Sequence, residues 1–497
     1  MKRKALLILL SLACALTCAI GLAACDDGTT DTHTHTWSKS WTSDATHHWH
    51  KCTSKQCSKN SGYAPHDFSN GTCICGKSYN EDLLEFEPYP YGGGYVITNV
   101  VDKAITELTL PASYKNQPVI EIGYMAFKDC RKLKSVTMPD SILIIAEFAF
   151  DGCINLTDVN MGKELVTIES CAFYGCISLT NITLPERASN TEEDSFLGCP
   201  IITASFPATA MNSIPKALLT EATITGYYRI SESAFEDCVT LKSLTIENRV
   251  PEIDSYAFRN CISLESVTIF DSKIRVNRNA FTNCPIKTAI IPASAIDAVA
   301  VKSLTDVTIT SGSEIPAYGF SDCTSLKNVI LPNSITTISN YAFQNCSSLK
   351  GVILPNNVTT VGLGSFQGCS SLISIFIPTS VTTIGGAVFR YCTSLISITI
   401  PSSVTTIGTS AFQNCSSLIN ITIPDNITTI GYEMFKGCTS LLSITIPGSV
   451  TTIEPYAFQN CSNLTKIIFN GTVGQWNAIE KGYNWDSSTG NYTVQTN

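Results

Sequence analysis

Charge is scarce in this chain. Asp, Glu, Lys and Arg make up only 15% of its 497 residues, the formal net charge is -9, and the one compact basic run is Lys2, Arg3 and Lys4. A nucleic-acid partner demands a basic face for its phosphates, so DNA and RNA are excluded. Histidine is confined as well: all six residues fall between His33 and His66. Nothing beyond them can supply the imidazole of a Ser-His-Asp or Cys-His pair. There is no Gly-rich phosphate loop and no His-Glu-x-x-His, and the acidic cluster Glu192-Glu193-Asp194 beside Phe196 reads as a solvated face. No catalytic residues are expected, and the chain is read as a non-enzyme. Past the N-terminal segment no run of 18 apolar residues occurs, so no second membrane span is expected. Disorder is excluded too, because 44% of the residues are hydrophobic.

The N-terminus carries an address. The three basic residues precede an apolar stretch from Ala5 to Ile20, and small residues then lead into Cys25. The string Leu22-Ala23-Ala24-Cys25 resembles a bacterial lipobox. That resemblance implies that residues 1–24 are a lipoprotein signal peptide and that Cys25 is lipidated and becomes the mature N-terminus. Two acyl chains are enough for stable anchoring where one is marginal. Residues 25–32 then serve as a tether.

Residues 33–79 form a small His/Cys-rich module containing every histidine, Trp37, Trp41 and Trp49, and four cysteines. Cys52-x4-Cys57 followed by Cys73-x-Cys75 approximates a zinc ribbon, in which Cys52, Cys57, Cys73 and Cys75 would hold a structural zinc ion. Outside the cytoplasm the same four residues could instead form two disulfides in a module too small for its own core, or remain free thiols. Residues 80–95, with Pro88, Pro90 and a Gly-Gly-Gly run, read as a linker.

Everything beyond repeats. Cysteines recur every 23 residues at 130, 153, 176 and 199, at 238, 261 and 284, and from 323 to 461, and a Phe stands three residues before each of these fourteen. Such a period marks a solenoid with one strand per coil. In the strand around Ile398, Leu395, Ile398 and Ile400 point inward and Thr399 outward, by the two-residue alternation of a strand. Pro401 lacks an N–H and ends the ladder; eleven strands stop this way. On the return half, Val404, Ile407, Ala411 and Phe412 can face the core. The residue before the cysteine is Asn, Asp or Gly in thirteen of the fourteen coils, Tyr391 being the exception. Those residues best tolerate left-handed backbone, so each coil is expected to close with a short helical or 3-10 turn. Two intervals measure 39 residues, Cys199 to Cys238 and Cys284 to Cys323, and their inserts resemble each other. They are read as structured short coils.

The string Leu-x-x-Ile-x-Ile-Pro-x-x-Val-x-x-Ile-x-x-x-Ala-Phe-x-x-Cys resembles the BspA-like class of leucine-rich repeats. The inserts with Ile214-Pro215-Lys216 and the tail from Phe469 to Trp485 are similar to parts of such proteins, the tail to their C-terminal cap. The His/Cys segment resembles a small module that precedes such repeats, whose usual pairs are Cys-x2-Cys. The implied fold class is an α/β repeat, a leucine-rich-repeat solenoid of roughly 17 coils over residues 96–469 with a cap at 470–497. Proteins of this class are surface proteins of host-associated microbes, some of them adhesins. The resemblance thus implies a membrane-anchored surface protein that engages a host or microbial macromolecule, most readily a protein. A cell-envelope carbohydrate-binding role and metal capture by the His-rich segment are the alternatives.

Two expectations concern side chains in register. Stacked coils lie about 4.8 Å apart, whereas a disulfide prefers Cβ atoms near 3.8 Å, so the repeat cysteines are expected to form a buried thiol ladder. Cys171 stands out of register. On the outward face, most strands carry a Thr at the middle position, but Ile330, Ile353 and Phe376 replace it on three consecutive strands. A neighbouring column holds Ile373, Ile396, Ile419 and Leu442. Together these seven residues are the expected partner-binding patch, with Phe376 the one clear exposed aromatic for a glycan.

Overall fold

The computed structural model describes residues 83–497, together with the backbone of three earlier strands, Thr42–Ser43, His47–Lys51 and Asn60–Pro65, which pair antiparallel in that order. The chain divides into two compact units, the first ending at Phe173 and the second beginning at Tyr174. Both are built from β-coils, and the fold is a leucine-rich-repeat β-solenoid of about 17 turns with few helices.

In the first unit, one parallel sheet is made by Glu107–Thr109, Ser135–Thr137 and Asp158–Asn160, each paired with its equivalent one coil away. A second parallel sheet runs through Tyr95–Val100, Gln117–Ile122, Ile144–Ile145 and Thr167–Ile168. Its outer edge is covered by Leu84–Pro88, antiparallel to Tyr95–Val100. Part of the segment read as a linker is therefore a strand that protects a sheet edge.

The second unit repeats the plan. Its first-strand sheet runs in register from Asn181–Thr183 to Asn328–Ile330. It thins to single bridges at Ile353, Phe376 and Thr399. It resumes at Asn420–Thr422 and continues through Ser443–Pro447 and Lys466–Asn470 to Thr493–Thr496. The return sheet is a series of two-residue strands such as Thr337–Ile338, Thr360–Val361 and Thr383–Ile384.

The return half thus differs from the expected helical turn. It holds a second short strand followed by hydrogen-bonded turns. In the coil of Phe127, Ala126 N–H donates to Gly123 O, Lys128 N–H to Met125 O and Cys130 N–H to Phe127 O. The reason lies in the neighbouring coil. Phe127 N–H donates to Ala149 O at 2.8 Å and Asp129 N–H to Asp151 O at 2.7 Å. A helix would direct these groups along its own axis; a turn leaves them pointing at the next coil, where stacking satisfies them. The β-branched Thr-Ile pairs favour extended backbone for the same half. Among the described residues, helix is confined to Ala208–Ala210, Ala293–Ala295, Ile296–Val299 and Val473–Ala478.

The first three of those helices belong to the two inserts. Each insert is a short coil whose strand joins the ladder in register, Thr203–Pro207 beside Glu221–Thr225 and Thr288–Ile291 beside Asp306–Ile309. The core follows directly from the period. Phe127, Phe150 and Phe173 stack with centroids 5.1 and 5.0 Å apart and nearly parallel rings. In the second unit the rings from Phe320 to Phe458 do the same at 5.2 to 5.9 Å. Trp485 meets Phe458 edge-on at 5.9 Å, ending the column, and Trp476 on the capping-box helix packs on Phe469.

Candidate binding face

All seven residues expected on the outward patch are exposed, and the ladder places them in two columns. Thr308 pairs with Ile330, Ile353 with Phe376, and Phe376 with Thr399. Ile353 is 80% exposed, and Ile330 and Phe376 are each 61% exposed, although Ile353 and Phe376 each sit between two buried core residues and Ile330 follows buried Val329. The second column is fixed by its backbone. Ile396 N–H donates to Ile373 O, Ile419 N–H to Ile396 O and Leu442 N–H to Ile419 O, at 3.1, 3.1 and 2.8 Å. The sequence reading missed Ile290, which is also exposed and pairs with Thr308. The isolated Thr between Ile290 and Ile330 hid the continuation.

A shallow groove of about 540 Å³ runs along Ile330, Ile353 and Phe376. Gly351 keeps it open: its strand neighbours on other coils carry Asn328 and Ser374 at this position, and a Cβ there would meet nothing closer than Ser374 O at 3.7 Å. Charge is sparse from Gly351 onward. Residues 351–453 contain only Arg390, Asp425, Glu433 and Lys436. Arg390 lies over Tyr391 on the turn side, and Lys436 pairs with Glu433 there at 2.6 Å. Upstream, Lys327 and Lys350 occupy the second column before Ile373 begins it. The chemistry available is apolar contact and hydroxyl hydrogen bonding, bordered by lysines on one side.

All fourteen repeat cysteines are buried, and Cys130, Cys238, Cys261, Cys284 and the seven from Cys323 to Cys461 are free thiols. The structure supplies a partner that sequence reading did not foresee: Cys392 Sγ donates to Phe366 O at 3.2 Å, and Cys415 to Phe389 O at 3.0 Å, with the same contact at Cys438 and Cys461. The phenylalanine carbonyl also accepts the N–H of its own coil's cysteine, so both lone pairs are used. Burial pushes the Cys392 thiol well above its ordinary pKa and that of Cys461 up to about 12. Such thiols are protonated and inert at neutral pH. Cys171 occupies a second left-handed turn position (φ 52°), four residues upstream of the usual one and matching Met125, Phe148 and Tyr341. Cys25 and the quartet Cys52, Cys57, Cys73 and Cys75 lie outside the described residues. Among the described residues no cluster of three His, Cys, Asp or Glu fits a metal ion, and no helix is long and apolar enough to cross a membrane.

A stack of in-register β-coils with a buried Phe and Cys column and an exposed strand face defines a leucine-rich-repeat protein. The pattern described as BspA type Leucine rich repeat region matches residues 101–225, 228–299, 297–419 and 382–481, and the chain belongs to that family. Among solved structures it is similar to a leucine-rich-repeat protein from Bacteroides ovatus, at 24% identity over 84% of this chain and 100% of that one, with a TM-score of 0.39. It is similar also to a leucine-rich cell surface protein from Faecalibacterium prausnitzii, at 24% identity over 81% and 97% with a TM-score of 0.25. The pneumococcal vaccine antigen PcpA matches at 18% identity over 84% and 98%, with a TM-score of 0.34. No curated protein matches the chain.

Proposed function

We propose that this chain is a membrane-anchored bacterial surface protein that binds a host or microbial extracellular protein through its first-strand face, and that it works by adhesion rather than catalysis. The observation that carries this reading is the pair of exposed apolar columns. Contiguous apolar surface on a soluble protein is costly to leave in water and usually marks an interaction site. Here seven large apolar side chains hold adjacent positions on consecutive coils, and the strand that displays them is otherwise lined with Thr and Ser. Such a face suits a partner met by apolar and hydroxyl contacts, with little dependence on salt. Membership of the BspA-type family supports a binding role.

The anchor rests on Cys25. Its replacement by Ser should shed the protein from membranes into the medium, and unchanged partitioning into detergent would remove the anchor. The module at 33–79 is assigned as a spacer, with Cys52, Cys57, Cys73 and Cys75 closed either by structural zinc or by two disulfides. Metal analysis of the full chain separates those two.

The binding face is tested with Phe376→Ser combined with Ile353→Thr. Both side chains are exposed, so the variant should keep the circular dichroism of the parent. On an array of extracellular-matrix and bacterial surface proteins it should lose the parent's signal by roughly tenfold or more, the equivalent of one buried aromatic anchor. Binding at full strength would move the site elsewhere.

A further inference from the structure

A second cleft lies at the ends of three successive strands where the usual closing proline is absent. Glu221–Thr225 is followed by Gly226 and Tyr227, Ser243–Ile246 by Glu247, Asn248 and Arg249, and Ser266–Ile269 by Phe270 and Asp271. In place of the proline these turns carry longer side chains, Tyr227, Glu247, Arg249 and Phe270. Glu186, Glu247, Asn248, Arg249 and Phe270 line an open cleft of about 440 Å³.

Arg249 organises it. Its φ of 89° is the largest positive value among the non-glycine residues described. Backbone held in such a region is over-determined by its surroundings and clusters at functional sites. Here the restraint is Asp271: Oδ2 accepts the Arg249 N–H at 2.9 Å and Oδ1 accepts the Lys273 N–H at 2.8 Å, tying two turns together. The guanidinium lies 5.0 Å from the centre of the Tyr227 ring and 3.5 Å from Glu186 Oε2. Tyr227 and Phe270 are both exposed. An arginine fork has five donors, and this one remains half exposed to the cleft.

We propose that this cleft binds a neutral pyranose oligosaccharide. Phe270 offers a flat apolar platform for the C–H face of a sugar ring. Glu247 and Glu186 accept hydroxyl protons, and Arg249 and Asn248 donate. A cationic peptide is the rival occupant, but Arg249 already neutralises Glu186 and covers the Tyr227 ring, so a second cation would have to displace it. A ligand without charge uses acceptor and donor together.

The test is calorimetry of the full chain with neutral gluco- and manno-hexaoses in α and β linkage. At least one should bind, with an affinity little changed by raising salt to about 0.5 M. Phe270→Ala and Glu247→Gln should each weaken it by roughly tenfold. Phe376→Ser with Ile353→Thr should leave it intact, which keeps this site separable from the apolar face. Absence of binding by every hexaose, binding untouched by Phe270→Ala, or a salt-sensitive preference for a lysine-rich peptide would overturn the proposal.

Discussion

Tyr391 carries a cost that its thirteen equivalents avoid. All fourteen residues preceding the repeat cysteines have positive φ, from Asn345 at 58° to Gly198 at 85°, and thirteen of them are Asn, Asp or Gly. Tyr391 adopts φ 62° with a bulky ring, where its Cβ is strained. Asparagine at this position does more than tolerate the geometry. Asn283 Nδ2 donates to Asn260 Oδ1 at 2.8 Å and Asn345 Nδ2 to Asp322 Oδ1 at 2.9 Å, a side-chain ladder from coil to coil. Tyr391→Asn is therefore expected to stabilise the chain by about 0.5–1 kcal/mol, less whatever the exposed Arg390 contact contributes. The urea midpoint should rise; a fall would mean that the ring packs more favourably than its backbone is strained. The left-handed position was legible in sequence because residue type reports it directly. The second one, at Met125, Phe148 and Cys171, was not, because residues of every size fill it, from Ala387 and Ser410 to Tyr341 and Tyr456, and only the chained turns reveal it.

At the scale of the element, the strand, its alternation and the in-register Phe and Cys columns were legible, since a 23-residue repeat fixes which residues stack. The helical return half was misread. Four-residue spacing of apolar side chains looks the same in a helical turn and in a strand followed by two turns, and only pairing with the next coil decides between them. The two short coils were legible as ordered because their length is kept twice. The second packs against a glycine: at Gly312, φ is 124° and a Cβ would lie 2.5 Å from Ala293 Cβ. Gly312→Ala should cost about 2–3 kcal/mol and loosen that coil in thermal melts. Gly351→Ser, where the added atom meets only ordinary contacts, should fall within about 0.5 kcal/mol of the parent. Equal effects of the two would contradict the packing account.

For the whole molecule, the apolar columns were visible in sequence as departures from a Thr rule, and the structure adds Ile290 to them. The cleft around Arg249 was not visible. Its parts come from four separate strand ends, as far apart in sequence as Glu186 and Arg249, and only the stacking of coils unites them. The central claim is that the first-strand face from Ile330 to Leu442 contacts the partner. Hydrogen exchange of the chain with and without a protein identified on the array tests it most directly. Slowed exchange should concentrate at residues 326–331, 349–354, 372–377 and 395–400, and most of all in the last three, where the ladder is thinned to single bridges at Ile353, Phe376 and Thr399 and local opening should be easiest. Protection confined to the Phe and Cys turns, or to residues before 174, with these four strands unchanged, would contradict it.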